Sequence, residues 1–201
     1  MVWELIKQIL LWLSVSSCAV GYAIYLWMMY RNKIRPHAIT FLAWSIILGV
    51  NVLVQLASGV GESVSLLIVN LACTGAVFAY CLKKGNTAHD KYELLCLMLA
   101  IATLVLWLAA DNPLYSVLLS CVMDFFAFVP SFRKSYLHPH EDSALTFFIS
   151  GLEYLFSFPA YKTFSFIVLA YPVWVLTIDM AYAAFILIRR AILSNKIIWK
   201  T

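Results

Sequence analysis

Seven apolar runs of near-bilayer length divide this chain, at approximately 8 to 29, 38 to 58, 63 to 82, 93 to 110, 113 to 132, 144 to 160 and 164 to 188. A run of about 20 apolar residues crosses the hydrocarbon core of a membrane as a helix, and charged or turn-forming residues bound each run here. Little of the 201 residues remains beside them, so the chain reads as one integral membrane domain. Only 12% of residues are charged and 64% are hydrophobic, too little polar surface to coat a soluble globule, where about 25% charged is usual. In lipid only helices and closed barrels pair every backbone group. The dyad alternation of barrel strands is missing, so an all-α fold of seven transmembrane helices is expected.

Lysine and arginine set the orientation. Arg31, Lys33, Arg35, Lys83, Lys84, Lys91, Arg133, Lys134, Arg189, Arg190, Lys196 and Lys200 fall on one set of connections and the tail, which is 12 of the 14 basic residues. Lys7 and Lys162 fall on the other side, with Glu4, Glu62 and Asp111. Basic loops stay in the cytoplasm, so the expected topology has the N-terminus outside and the C-terminus inside, in a cell membrane. Glu4 and Lys7 replace the basic cluster of a secretory signal, and no small-residue cleavage site follows the first run, so a removable signal peptide is not expected. Cys18, Cys73, Cys81, Cys96 and Cys121 sit within or at the edge of apolar runs without metal-site or disulfide spacing, and read as packing residues. Topology and anionic headgroups account for the basic loops with no nucleic-acid partner.

The fifth run repeats features of the first in one register. Ser17-Cys18 lies over Ser120-Cys121 and Pro36-His37 over Pro139-His140, both at an offset of 103 residues. Basic residues precede each Pro-His pair, at Arg31 and Lys33 and at Arg133 and Lys134, and a run opening near Thr-Phe follows each, at Thr40-Phe41 and Thr146-Phe147, the second after a three-residue insertion. The repeat therefore predicts two parallel three-helix units, 8–82 and 113–188, joined by a linker helix at 93–110.

A duplicated three-helix unit with one linker helix resembles the SWEET and PQ-loop transporter superfamily over essentially the whole chain, as a divergent bacterial member. The stretch Asp124-Phe-Phe-Ala-Phe-Val-Pro130-Ser-Phe-Arg-Lys134, followed by Glu141 and Ser143, looks like that family's proline-bearing helix end and basic loop. Ser131 stands where the motif has glutamine, and Trp27 stands opposite Pro130. The paired hinge prolines of sugar-transporting members are thus not reproduced, and sugar specificity is not implied. The resemblance implies a small-solute transporter with a central cavity between its two units. It also implies polar residues near the middle of the third helix of each unit, where Asn70 and Asp179 stand, and hinges at Pro130 and Pro172.

Three carboxylates lie inside runs, Asp124, Glu153 and Asp179. Each would cost at least about 2.5 kcal/mol at the bilayer centre if it faced lipid, so all three are expected to face the interior. No lysine or arginine lies deep in a run to neutralise them; each must be protonated, hydrogen-bonded or exposed to a water-filled cavity. An unneutralised acid of this kind is a candidate proton carrier, and Asp179 is the first choice because the resemblance places a proton site on the last helix. The bland reading is that these acids only bond neighbouring Ser, Thr or Tyr and fix the packing. Asn51 and Asn70 offer donors and acceptors to a polar solute, and Trp44 a stacking wall. Interhelical hydrogen bonding and ordinary packing explain the same residues.

Rival chemistries lack their parts. A retinal Schiff base needs a lysine in the seventh run, which has none, and the four histidines lie in loops with no Gly-x-Ser-x-Gly elbow in the chain, so a nonenzymatic protein without a cofactor is expected. His138, His140, Glu141 and Asp142 crowd one loop but match no metal-ligand spacing. A receptor or partner-binding membrane subunit of the same fold has an identical sequence signature, since fold does not fix function. Ala72, Gly75 and Ala76 suit packing within or between chains equally, which leaves the oligomeric state open.

Overall fold

The computed structural model describes residues 2–57, 64–84, 91–109, 112–160 and 164–198; Glu62, Asp111, Tyr161, Lys162 and Lys200 lie outside them. Among the described residues are seven α-helices, α1 (Val2–Tyr30), α2 (Ala38–Ala57), α3 (Val64–Lys83), α4 (Lys91–Leu108), α5 (Pro113–Leu137), α6 (Ala144–Ser157) and α7 (Phe166–Ile198), with 3₁₀ turns at Pro139–Glu141 and Phe158–Ala160. Each apolar run falls on one helix. Three segments are long and apolar enough to cross a membrane, Val2–Tyr30, Val64–Lys83 and Leu169–Ser194. Ala38–Gly49, Leu94–Leu108 and Ala144–Ser157 are shorter apolar helices.

Local chemistry sets the ends. α1 closes in a Schellman turn: Asn32 takes the left-handed conformation at φ 54°, its N–H bonds the Met29 carbonyl at 2.9 Å, and the Lys33 N–H bonds Met28 at 2.9 Å, capping carbonyls the helix cannot satisfy itself. Asn112 caps α5 through the Leu114 N–H at 2.9 Å, with Pro113 in the first turn, where its missing donor costs nothing. Ser143 caps α6 through the Thr146 N–H at 3.2 Å. Three helices outrun the expected spans. α1 already begins at Val2. α5 continues through Pro130 to Leu137, so Arg133 and Lys134 sit on its last turns, and α7 continues past residue 188 because Arg189, Arg190 and the following Ala-Ile-Leu hold no breaker.

α3 packs on both α1 and α2, and α7 packs on both α5 and α6; α1 also packs on α6, α2 on α5, and α4 on α5 and α2. α1 buries Leu11, Ser14, Cys18, Gly21, Tyr25 and Met29, a stripe at three- and four-residue spacing. Missing side chains permit the closest approaches. A Cβ on Gly21 would meet Ile149 of α6 at 3.1 Å, and one on Gly151 would meet the Met180 methyl of α7 at 2.7 Å. The small residues of α3 do something else: Ala72 and Ala76 are exposed and a Cβ on Gly75 would meet nothing within 4 Å.

Large apolar side chains face outward, while several polar ones share the interior with an apolar core. Trp12, Leu106, Leu108 and Phe166 are well over half exposed, whereas Ser14, Thr40, Asn70, Thr74, Ser120, Asp124, Glu153 and Asp179 are buried.

Candidate functional site

All three carboxylates reach one cavity at mid-bundle. It is lined from α1 by Cys18, Gly21, Tyr22 and Tyr25, from α2 by Phe41, Trp44, Ile47 and Leu48, and from α3 by Asn70 and Thr74. From the second half come Asp124 and Phe128 of α5, Thr146, Phe147, Ser150, Glu153 and Tyr154 of α6, and Tyr171, Val175 and Asp179 of α7. Its volume is about 50 Å³, room for a few water molecules at roughly 10–15 Å³ each on this measure. No lysine, arginine or histidine is among these described lining residues.

Each acid is held differently. Asp124 is 3% exposed and accepts an indole N–H on both oxygens, from Trp44 at 3.0 Å on Oδ1 and from Trp174 at 2.9 Å on Oδ2. Asp179, also 3% exposed, faces the Ser150 hydroxyl. Glu153, 1% exposed, ends a relay in which the Tyr22 hydroxyl donates to Asn70 Oδ1 at 3.1 Å and Asn70 Nδ2 donates to Glu153 Oε1 at 2.7 Å. Glu153 Oε2 is buried with no hydrogen-bond partner among the described residues. A buried carboxyl oxygen without a partner is costly, and Glu153 is one of the residues that line the cavity. The backbone of Glu153 is pinned separately, its carbonyl accepting from Ser14 at 2.7 Å.

Toward the end that carries the basic residues, the cavity is floored by rings. Phe41 lies 5.1 Å from Trp44, Trp44 lies 4.7 Å from Phe128, and Phe147 lies 4.6 Å from Tyr182, edge-on distances that favour aromatic pairs. Beneath them Asp142 clasps the bundle: Tyr25 donates to its Oδ1 at 3.0 Å and Tyr182 to its Oδ2 at 2.8 Å. Arg190 donates to the Asp142 and Pro139 carbonyls at 2.6 and 2.9 Å, and the Arg35 N–H bonds the Glu141 carbonyl at 2.9 Å. The two Pro-His loops therefore meet at this end.

Of the sequence candidates, Asn70, Trp44, Asp124, Glu153 and Asp179 come together on the cavity. Asn51 does not line it; its Nδ2 donates to the Ile47 carbonyl one turn back, at 2.8 Å. Pro130 and Pro172 lie buried inside α5 and α7, off the lining. Sequence reading missed Tyr22, Trp174 and Ser150, which partner the polar groups, and Asp142, whose loop of polar residues hid a buried hydrogen-bond hub. Comparison with protein-family models, curated proteins and solved structures finds no match for this chain.

Proposed function

We propose that the chain is a proton-linked membrane transporter of a small polar solute, with its N-terminus outside, its C-terminus in the cytoplasm and its transport path through the carboxylate-lined cavity. The observation that carries this reading is the convergence of Asp124, Glu153 and Asp179, from three different helices, on one cavity whose described lining holds no basic side chain. Buried acids without a cation bind protons or cationic donors, and intramembrane acids of this kind mark ion and proton paths.

Supporting the membrane setting are the many large apolar side chains that face outward, among them Trp12, Leu106, Leu108 and Phe166. Supporting the 3+1+3 arrangement of the SWEET and PQ-loop superfamily is the packing pattern. Exchanging α1, α2 and α3 for α5, α6 and α7 turns α1 on α3, α2 on α3 and α1 on α6 into α5 on α7, α6 on α7 and α5 on α2, all of which occur. The cavity then lies between two related three-helix units, with α4 as the linker. In this arrangement Asp142 and the aromatic floor close the cytoplasmic side.

The test is thermal stability of the detergent-purified protein against sugars, amino acids, vitamins and amines at two pH values, because a ligand stabilises the state it binds. A hit whose shift depends on pH in the parent and not in Asp179→Asn supports proton-linked transport. No hit at either pH moves the reading to a partner-binding membrane subunit.

A further inference from the structure

Building on the cavity as a solute site, we infer that its ligand is a small organic monocation bearing N–H donors, an alkylammonium or a guanidinium, and carrying no carboxylate or phosphate. Three observations converge on this chemistry. First, Glu153 Oε2 is a buried oxygen with no partner among the described residues, and when the acid is ionised such an oxygen takes a donor from whatever occupies the cavity. Asn70 has its oxygen on Tyr22 and its nitrogen on Glu153 Oε1, so that amide does not turn to serve Oε2 without breaking both bonds.

Second, the described lining offers an anionic group no basic side chain, and most of its polar donors are already committed. Tyr22 donates to Asn70, Trp44 to Asp124, Thr74 to the Asn70 carbonyl, and Tyr25 to Asp142. Thr146 donates to Ser143 Oγ, and Ser150 faces Asp179. A zwitterion would place its carboxylate beside three acids and among donors that are mostly committed, with a large desolvation cost and no cation to offset it. A cation meets the reverse situation: acids of one sign lining a small site attract it once ionised, and Phe41, Phe128 and Phe147 also line the site, rings of a type that binds cations.

Third, size restricts the choice. A cavity of about 50 Å³ takes the place of a few waters, which suits ligands of about three to five non-hydrogen atoms. The need for a donor at Oε2 favours N–H heads over fully methylated ones.

The experiment is isothermal calorimetry on the full chain in detergent at mildly alkaline pH, titrating ethylammonium and guanidinium chlorides against urea, acetamide, glycine and tetramethylammonium. Binding of ethylammonium or guanidinium at least tenfold tighter than urea, acetamide and glycine, weakened at least tenfold in Glu153→Gln, is the expected result. Glu153→Asp, which keeps the charge, should retain measurable binding and serves if Glu153→Gln does not fold. Preferential binding of glycine or a neutral amide, equal binding of the cations by Glu153→Gln, or no cation binding to protein that unfolds cooperatively overturns the inference. Tighter binding of tetramethylammonium than of ethylammonium overturns the N–H requirement. These outcomes are separable from the transport reading: a cation that binds yet does not cross vesicles bearing the protein sinks transport alone, and a neutral solute that crosses sinks the cation assignment alone.

Discussion

Asn70 Nδ2 donates to Glu153 Oε1 at 2.7 Å, joining α3 to α6 across 83 positions of sequence. The Tyr22 hydroxyl on Asn70 Oδ1 fixes which way the amide points, so α1, α3 and α6 are registered by one short polar chain. Removing its central member should be felt in stability as well as in ligand binding.

Asn70→Ala strips Glu153 Oε1 of its donor and is expected to lower unfolding stability by about 1–3 kcal/mol, the cost of a buried polar group left unpaired. Adding Glu153→Leu to that variant should recover part of the loss, because the orphaned group is then gone. Denaturant unfolding in detergent measures both; an Asn70→Ala protein as stable as the parent contradicts the relay.

Trp44 and Trp174 share one acceptor, Asp124. Trp44→Phe and Trp174→Phe each keep an aromatic ring and remove one N–H, for an expected loss of about 1.5–3 kcal/mol each if the acid is charged. The pair should be coupled by more than about 0.5 kcal/mol in a double-mutant cycle, as expected of residues in one network. Additive losses would mean that Asp124 is not their common partner.

Asp142 holds Tyr25 and Tyr182 under the aromatic floor. Asp142→Ala or Tyr182→Phe weakens that closure by about 1–2 kcal/mol, enough for roughly tenfold more frequent local opening. Cys18 lines the cavity and is 1% exposed. In a background where it is the sole cysteine, a thiol reagent should label it about tenfold faster in either variant. Unchanged labelling rates in both would show that this end is not what seals the cavity.

Asn32 pays a left-handed penalty at φ 54° that glycine does not. Asn32→Gly is expected to raise stability by several tenths of a kcal/mol, and Asn32→Ala to lower it by about 1 kcal/mol, read from the shift in unfolding midpoint. The opposite order would place the turn in another conformation.

Much of this architecture was legible in the chain. The seven apolar runs fall on seven helices among the described residues, and the rule that an acid inside an apolar run turns inward matches the burial of Asp124, Glu153 and Asp179. The stripe of Ser14, Cys18, Gly21 and Tyr25 on α1 also carries its helical spacing openly in the sequence. Partner choice was not legible, because it depends on the rotation of one helix against another. Trp174 and Tyr22 are ordinary aromatic residues in apolar runs until packing turns them onto Asp124 and Asn70, and Asn51 of α2 looks like Asn70 of α3 until packing brings only Asn70 to the cavity. Asp142 was hidden for another reason: a loop rich in charge reads as solvated, and only the tyrosines of α1 and α7 make it a buried hub.

The most direct test of the central claim is flux. Protein reconstituted into vesicles with an imposed proton gradient is given the labelled solute identified by thermal shift. The account predicts gradient-dependent accumulation that protein-free vesicles lack, with the gradient dependence lost in Asp179→Asn. A solute that stabilises the protein specifically and yet does not move across the membrane under any gradient would contradict it and make the chain a receptor.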